Sequence, residues 1–211
     1  MEIITASAEI LGEVDGVAML RHIERCGRVC YKSEWRITED SYEDFVRKII
    51  ANGHEAVLEH ASVTVRIVCD RGVSHEIVRH RIASYCQEST RYVSYDNIQV
   101  ICPEGLSGAQ FAVWKETMEI CEKAYRQLRE QGTSAQIARS VLPNALKTEL
   151  TMTANLREWR HFFRLRLSPA AHPQMREVAS LILKKLYVEL PIAFEDFARQ
   201  YGVEDPSQIT L

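Results

Sequence analysis

The sequence lacks the features that mark several common protein classes. No apolar run approaches the roughly 18 residues needed to span a bilayer, so we expect no membrane contact. Glycine (9) and proline (6) are sparse and no segment is repetitive, so nothing predicts a linker and we expect one domain over residues 1–211. Neither charge dominates, with 26 Lys and Arg against 29 Asp and Glu, which argues against a dedicated nucleic-acid binder.

The six cysteines are too scattered for a disulfide framework or a complete metal site. Only Cys26 and Cys30 lie close in sequence, and together with His22 they follow one face of a predicted helix. We expect that face to be buried and to carry two thiols, with no bound metal. Because no secretory leader is evident at the N-terminus, we expect reduced thiols in a cytoplasmic protein.

The common phosphate-binding and nucleophile motifs are also missing. The chain contains no G-x-G-x-x-G, no G-x-x-x-x-G-K-[ST] and no G-x-S-x-G, so any bound nucleotide must be held by side chains or by another kind of loop. His75 and His80 come near the H-E-x-x-H pattern, but their spacing of five would turn them about 140° apart on a helix. This spacing argues against a zinc protease.

The periodicity of apolar residues predicts an α+β fold with a mixed or antiparallel sheet flanked by helices. Strands are predicted where apolar and polar residues alternate, at 63–67 and 146–153. Ser41, the Thr133/Gln136 pair and Asn155 are predicted to cap helices. The predicted helices cover 15–30, 41–52, 107–131, a short stretch ending near Pro143, 155–167, and 172–201 with a break at Pro191.

The densest polar cluster runs from Ser74 to Tyr92. If this segment is helical, Arg79, His80 and Arg81 point three ways, because neighbouring residues on a helix diverge by about 100°. Such an arrangement suits one large anionic ligand or contacts between subunits, and the hydroxyl-rich and amide-rich residues that follow suit a phosphate or a polar heterocycle. The alternative is a solvated face or an ion-pair network.

Two further segments carry cations in unusual settings. In the segment 155–166, the residues Asn155, Arg157, His161 and Arg166 lie off an apolar stripe, where they can meet a ligand; the alternative is a basic surface helix that contacts RNA. Arg139 stands in an apolar context before Pro143 and needs an anionic partner.

Together these segments resemble the flavin-dependent thymidylate synthases. Arg79-His80-Arg81, then seven residues and Ser89, is similar to the family's R-H-R-x7-S signature. Three other segments resemble family motifs and come in the family's order: Gly53-His54-Glu55 with Glu59-His60 (G-H-x-S/T-x-x-E-H), Ala138 to Pro143 (A-R-x-V-L-P), and Asn155 to Arg166 (N-x-R-x-W-x-x-F-x-x-x-R).

The resemblance implies an α+β domain that assembles as a homotetramer with sites shared between chains. It implies a methyltransferase that converts dUMP to dTMP, with methylenetetrahydrofolate as carbon donor, FAD as hydride carrier and NADPH as reductant. It also implies that no enzymic cysteine acts as nucleophile, so the protein contributes orientation and electrostatics.

The resemblance also assigns residues. Arg166 would lie against the uracil edge and favour its N3-deprotonated form, Ser89 would polarise dUMP, and Arg139 would hold the phosphate. The implied FAD contacts are His54, Arg79, His80, Arg81, Gln87, Asn155, Arg157 and His161. The implied dUMP site comprises Glu76, Arg79, Gln87, Glu88, Ser89, Thr90, Arg91, Arg139 and Arg166.

The chain departs from the family pattern just before the signature serine, which leaves a related function open, and its basic 157–166 helix leaves open a function of a different class. Cys86-Gln87-Glu88 stands where Asn-Glu is usual, which motivates a related flavin-dependent enzyme that modifies another pyrimidine nucleotide, for example by hydroxymethylation of dCMP or dUMP. A non-catalytic nucleotide-binding or RNA-binding protein is the alternative from a different class.

Overall fold

The computed structural model describes residues 1–95 and 97–204 and has an α+β fold, as predicted. Strands β1 to β6 and helices α1 to α8 are joined by short 3₁₀ turns at Glu34–Arg36, Glu55–His60 and Arg139–Val141. The strands are β1 (Glu2–Ile4), β2 (Ser7–Leu11), β3 (Ser62–Asp70), β4 (Ala83–Gln87), β5 (Gln99–Ile101) and β6 (Lys147–Asn155). The helices are α1 (Gly16–Val29), α2 (Ser41–Ala51), α3 (Arg71–Ile77), α4 (Gly108–Glu130), α5 (Ala135–Ala138), α6 (Leu156–Arg166), α7 (Pro173–Glu189) and α8 (Pro191–Tyr201).

The strands form two sheets. β1 pairs with β5 in parallel, and the other four strands follow the order β2-β3-β6-β4. The alternation that predicted β3 and β6 is confirmed, because Val63, Val65 and Ile67 are buried in β3 and Leu150 and Met152 are buried in β6. Alternate burial is expected because successive side chains of a strand point to opposite faces.

One of the three predicted helix caps is confirmed. The Asn155 carboxamide accepts from the backbone N–H of Glu158 at 2.8 Å and so begins α6. Ser41 was expected to cap α2, but its hydroxyl donates instead to Glu24 and accepts from the N–H of Thr38. The capping box predicted at Thr133 is also wrong, because Ser134 precedes α5 and makes no side-chain cap bond.

The segment around Arg79 is not helical, so the predicted reason for its diverging side chains is wrong. Helix α3 ends at Ile77, and residues 79–81 lie in the connection that leads to β4. Arg79 and Arg81 are exposed while His80 is buried. Outside a helix the 100° step between neighbours does not apply, and the three residues differ instead in burial, with His80 inside the protein between two exposed arginines.

The cysteines are free thiols, and Cys30 is exposed rather than on a buried face. Helix α1 ends at Val29, so Cys30 lies in the turn beyond the amphipathic face, whereas Cys26 is half-buried with its sulfur 3.6 Å from His22 Nε2. Across residues 1–95 and 97–204, no helix combines the length and apolarity needed to cross a bilayer.

The chain divides into two compact units, each built from three segments. Unit 1 comprises Met1–Ser7, Ile67–Arg79 and Tyr85–Thr151, and unit 2 comprises Ala8–Arg66, His80–Ser84 and the chain from Met152 onward. The core of unit 1 includes Tyr95, Ile98, Val100, Met118, Tyr125, Ala138 and Leu146. In unit 2, aromatic rings pack together from α6 (Trp159, Phe162, Phe163) and α8 (Phe194, Phe197). A single domain over 1–211 stays a prediction.

Candidate active site

In unit 1, the end of β4 is fixed by the amide of Gln87. Its Nε2 donates to Ser74 Oγ at 3.0 Å and to Thr148 Oγ1 at 3.2 Å. Both acceptors are hydroxyls. A carboxylate at this position has no N–H to donate, so it could bond to them only by accepting from them. The glutamine therefore suits its neighbours, and both of its N–H groups hold the strand end in place.

Glu88 is held by two side chains of unit 1. Tyr95 donates to it at 2.6 Å and Lys147 at 3.2 Å, and the backbone N–H of Glu88 donates to Glu149 O at 2.8 Å. Burial raises the pKa of Tyr95, and the hydrogen bond to Glu88 raises it further. Burial alone would lower the pKa of Lys147, but its hydrogen bonds with Glu149 and Glu88 outweigh that effect and raise it. Glu88 thus anchors the loop that follows it.

The residues after Glu88 form a compact turn to which Arg139 is joined. Ser89 O accepts from the N–H groups of Tyr92 and Val93, and Ser89 Oγ accepts from the N–H of Arg91 at 3.3 Å. Arg139 Nη1 donates to the buried hydroxyl of Thr90 at 3.1 Å, and the rest of the Arg139 side chain is exposed. The fold therefore brings together two predicted dUMP residues that lie 49 positions apart.

The other predicted dUMP residues of unit 1 are exposed or half-buried. Arg91 is exposed, with its guanidinium 5.4 Å from the centre of the Tyr92 ring. Glu76 is half-buried on α3, and Arg79 is exposed just beyond that helix. Exposed guanidiniums beside a hydroxyl-rich turn can donate several charge-assisted hydrogen bonds to a phosphate.

In unit 2, helix α6 presents a polar face opposite its buried aromatic stripe. Trp159 Nε1 donates to Val63 O at 3.1 Å, which fixes the rotation of the helix against β3. Arg157 is exposed and paired with Glu59, and His161 is exposed one turn further along. Asn155 is half-buried and occupied as the cap, while His54 lies exposed just before the 3₁₀ turn 55–60.

Arg166 and His80 meet at the end of α6. Arg166 Nε donates to His80 Nε2 at 3.0 Å, and His80 Nδ1 lies 2.9 Å from Glu158 Oε1. His80, Glu158 and His161 place one potential ligand atom each within 4.8 Å of one another, which is a geometry that could hold a metal ion. Both ring nitrogens of His80 are engaged by side chains, however, so hydrogen bonding accounts for the cluster without a metal.

A buried ion-pair network lies on the other side of α6. Arg160 is 2% exposed and donates to Glu55 at 2.9 Å and to both carboxylate oxygens of Asp196. Arg164 also donates to Glu55. Burial alone would raise the pKa of Glu55, but the hydrogen bonds from Arg164 and Arg160 outweigh it and lower that pKa. The network fixes the backbone next to His54.

The two units divide the predicted residues by ligand. Unit 2 holds most of the predicted FAD residues (His54, His80, Arg81, Asn155, Arg157, His161) together with Arg166. Unit 1 holds the other predicted dUMP residues (Glu76, Arg79, Gln87, Glu88, Ser89, Thr90, Arg91, Arg139). Sequence reasoning missed Glu158, Lys147 and Tyr95, which touch these residues. Glu158 could have been singled out from the sequence, because it is a carboxylate three residues after the predicted cap Asn155 and next to the aromatic stripe.

The unit 2 residues fit an anionic dinucleotide such as FAD. Arg81, Arg157, His54 and His161 are all exposed and can donate hydrogen bonds or supply positive charge. His80 differs from them, because it is 4% exposed and both of its nitrogens are engaged within the chain.

Comparison with known proteins identifies the family. The model of the thymidylate synthase complementing protein family matches residues 17–192. A flavin-dependent thymidylate synthase from Pyrococcus furiosus is 38% identical over 171 residues, covering 75% of this chain and 70% of the relative. One from Geobacter sulfurreducens is 36% identical over 198 residues, covering 85% of each chain. One from Mycobacterium sp. strain JLS is 35% identical over 233 residues, covering 97% of this chain and 90% of the relative.

The fold has a counterpart among solved structures. The UMP/dUMP methylase PolB from Streptomyces cacaoi, bound with 5-Br dUMP, superposes with a TM-score of 0.79 at 22% identity, covering 98% of this chain and 100% of that one. The same protein bound with 5-Br UMP superposes equally well, at 21% identity. Together with the sequence relatives, the family match establishes that this chain belongs to the thymidylate synthase complementing protein family, the flavin-dependent thymidylate synthases.

Proposed function

We propose that this protein is a flavin-dependent thymidylate synthase that reductively methylates dUMP to dTMP. The observation that carries the proposal is the contact between Arg139 and the turn that follows β4, which joins two family motifs through the 3.1 Å hydrogen bond to Thr90. The relatives named above support the proposal, because each is called a flavin-dependent thymidylate synthase and aligns with at least 75% of this chain.

In this proposal the turn 89–91 and Arg139 hold dUMP by its phosphate. Arg139 offers a planar set of N–H donors that suits a phosphate dianion, and Arg91 adds a second positive charge. The resemblance to the family's R-H-R-x7-S signature assigns Ser89 a polarising role toward dUMP. The resemblance assigns the Arg166 guanidinium to the uracil edge, where it would favour the N3-deprotonated base, in dUMP sites that are shared between chains.

We propose FAD as the cofactor, held by the exposed cations of unit 2, with His54, Arg81, Arg157 and His161 assigned to the diphosphate and the rings. When bound, FAD supplies the hydride that completes the methyl group. NADPH is the proposed reductant, and methylenetetrahydrofolate is the proposed donor of the carbon that becomes bonded to C5 of dUMP, which loses its C5 proton.

We further propose that the enzyme works in the cytoplasm as a homotetramer. The six free thiols favour a reducing compartment. Light scattering after size-exclusion chromatography tests the assembly, with four chains of 24.2 kDa as the expected mass.

The function is tested with purified protein under anaerobic conditions. We expect a flavin absorption spectrum that bleaches with NADPH, and dTMP formation that requires dUMP and methylenetetrahydrofolate. A parallel reaction with dCMP tests the related enzyme, and RNA binding that weakens steeply with salt tests the binding protein. Flavin-loaded protein that forms no dTMP from these substrates would refute the proposal.

A further inference from the structure

His80 is the buried member of the exposed segment 79–81. It is 4% exposed, and Phe162 packs against it with the ring centres 4.9 Å apart. Glu158, which faces its Nδ1, is also buried, with 7% of its side chain exposed. A carboxylate and an imidazole removed from water are stable only if they are paired, and these two are paired with each other at 2.9 Å.

The contact with Arg166 determines which ring nitrogen carries the proton. A guanidinium only donates hydrogen bonds, so His80 Nε2 accepts from Arg166 Nε and carries no proton. The ring proton therefore lies on Nδ1 and is donated to Glu158 Oε1. His80 is thus a neutral imidazole that links an anion to a cation.

The surroundings favour this neutral form. The charged and titratable groups that act on the ring include Glu158, Arg166 and His161, which all come from α6. Burial lowers the pKa of His80, the charges of Arg166 and His161 lower it further, and the hydrogen bond and charge of Glu158 oppose them without prevailing.

We propose that Glu158 and His80 form a positioning relay that directs the Arg166 guanidinium toward the substrate. Glu158 fixes the tautomer of His80, and that tautomer presents the acceptor that orients Arg166. In this role neither residue needs to touch dUMP. Glu158 occupies an unspecified position of the N-x-R-x-W motif, so the motif itself assigns it no role. The proposal rests on the proposed function, which places Arg166 at the uracil edge.

The relay depends on both ends of α6. Glu158 lies in the first turn, where the Asn155 cap holds its backbone, and Arg166 is the last residue of the helix. Eight residues of helix separate them by about 12 Å. The side chains converge on one imidazole that comes from the separate segment His80–Ser84 of unit 2. Helix α6 therefore carries both the carboxylate and the guanidinium on one rigid element, and the imidazole between them is held by its burial against Phe162.

The test compares His80→Leu, which removes the acceptor, with His80→Gln, whose amide oxygen can accept from Arg166 Nε. We measure dUMP affinity by titration calorimetry on flavin-loaded protein from pH 5 to pH 8, with flavin content and a thermal melt for each variant. Glu119→Gln is the control, because it removes one carboxylate from an exposed pair with Lys115.

We expect His80→Leu to lose about tenfold to hundredfold in dUMP affinity, the range for a lost hydrogen bond to a charged group. His80→Gln should recover most of that loss. Wild type should lose dUMP affinity at low pH (the acid limb), because protonation of His80 removes the acceptor. His80→Gln should lack that acid limb. The dUMP phosphate titrates near pH 6 in every variant, so the difference between the two profiles isolates His80.

The relay is overturned if His80→Leu and His80→Gln lose dUMP affinity equally, or if the acid limb of dUMP affinity is unchanged in His80→Gln. If His80→Leu does not fold, Glu158→Gln decides, because removing the carboxylate should move the acid limb to lower pH, and an unmoved limb contradicts the relay. If wild type binds no dUMP, the proposed function fails. The relay is then judged by nitrogen-15 NMR of labelled histidine, where an Nε2–H tautomer of His80 would refute it.

Discussion

Replacing Glu55 with glutamine should destabilise the protein far more than the same change at a surface ion pair. Glu55 accepts from Arg160 and Arg164, and the side chains of Glu55 and Arg160 are 9% and 3% exposed. Breaking a buried ion pair costs about 3 to 5 kcal/mol. Arg160 retains both contacts with Asp196 and glutamine can still accept one bond, so we expect a loss of about 2 to 3 kcal/mol.

The control is Glu43→Gln. Glu43 pairs with Arg47 one turn along α2, with both side chains more than 40% exposed. Exposed helical pairs of this kind are worth about 0.3 to 0.5 kcal/mol, so this variant should stay close to wild type. Urea denaturation followed by circular dichroism measures both variants. In a thermal melt, the loss of 2 to 3 kcal/mol expected for Glu55→Gln should lower the melting temperature by about 5 to 10 °C for a chain of this size.

Acid provides a second check on Glu55. Its pKa in the folded protein is lowered, so the stability it contributes is fully present above its unfolded value of 4.5 and is lost as the pH falls through the lower folded value. The difference in free energy of unfolding between wild type and Glu55→Gln should therefore be constant from pH 7 to pH 5 and become smaller at lower pH. Similar losses in free energy of unfolding for Glu55→Gln and Glu43→Gln, or a wild-type advantage over Glu55→Gln that is unchanged at pH 3, would contradict this role of Glu55.

Three shorter predictions concern the candidate site. Arg166→Ala should abolish dTMP formation while the flavin spectrum persists, because this side chain is assigned to the uracil; loss of flavin would contradict that assignment. Arg139→Ala should raise KM for dUMP about tenfold or more, with kcat less affected and flavin content unchanged, because a phosphate contact is lost; Arg139→Lys should recover only part, since a single ammonium replaces the planar donors. Asn155→Ala should cost about 1 kcal/mol in a thermal or urea melt, because the cap of α6 is lost, and no change would mean that the helix start is held by packing alone.

The elements with strong periodicity could be predicted from the sequence. The strands around Val65 and Leu150 and the start of α6 at Asn155 follow from local patterns of two and four residues, which short-range geometry determines. The caps at Ser41 and Thr133 could not be predicted in the same way. The Ser41 hydroxyl is used by Glu24, which is distant in sequence and buried, and tertiary contacts of this kind override local preference.

The candidate site shows the same limit. The motifs identified which residues matter for the family, but the partners that orient them come from elsewhere in the chain. Lys147 reaches Glu88 across 59 residues, and Glu158 reaches His80 across 78. Lysines and glutamates are too common in a sequence for such pairs to be recognised before the fold is known.

The interleaved course of the chain has a consequence for synthesis. The backbone passes between the two units five times, so no single cut yields either unit as one continuous piece. A nascent chain that ends at residue 151 contains all of unit 1 but lacks α6, α7 and α8, whose buried apolar side chains fill much of the interior of unit 2. Unit 2 can therefore be completed only after most of the chain has left the ribosome, and until then its first segments expose apolar surface to chaperones and proteases.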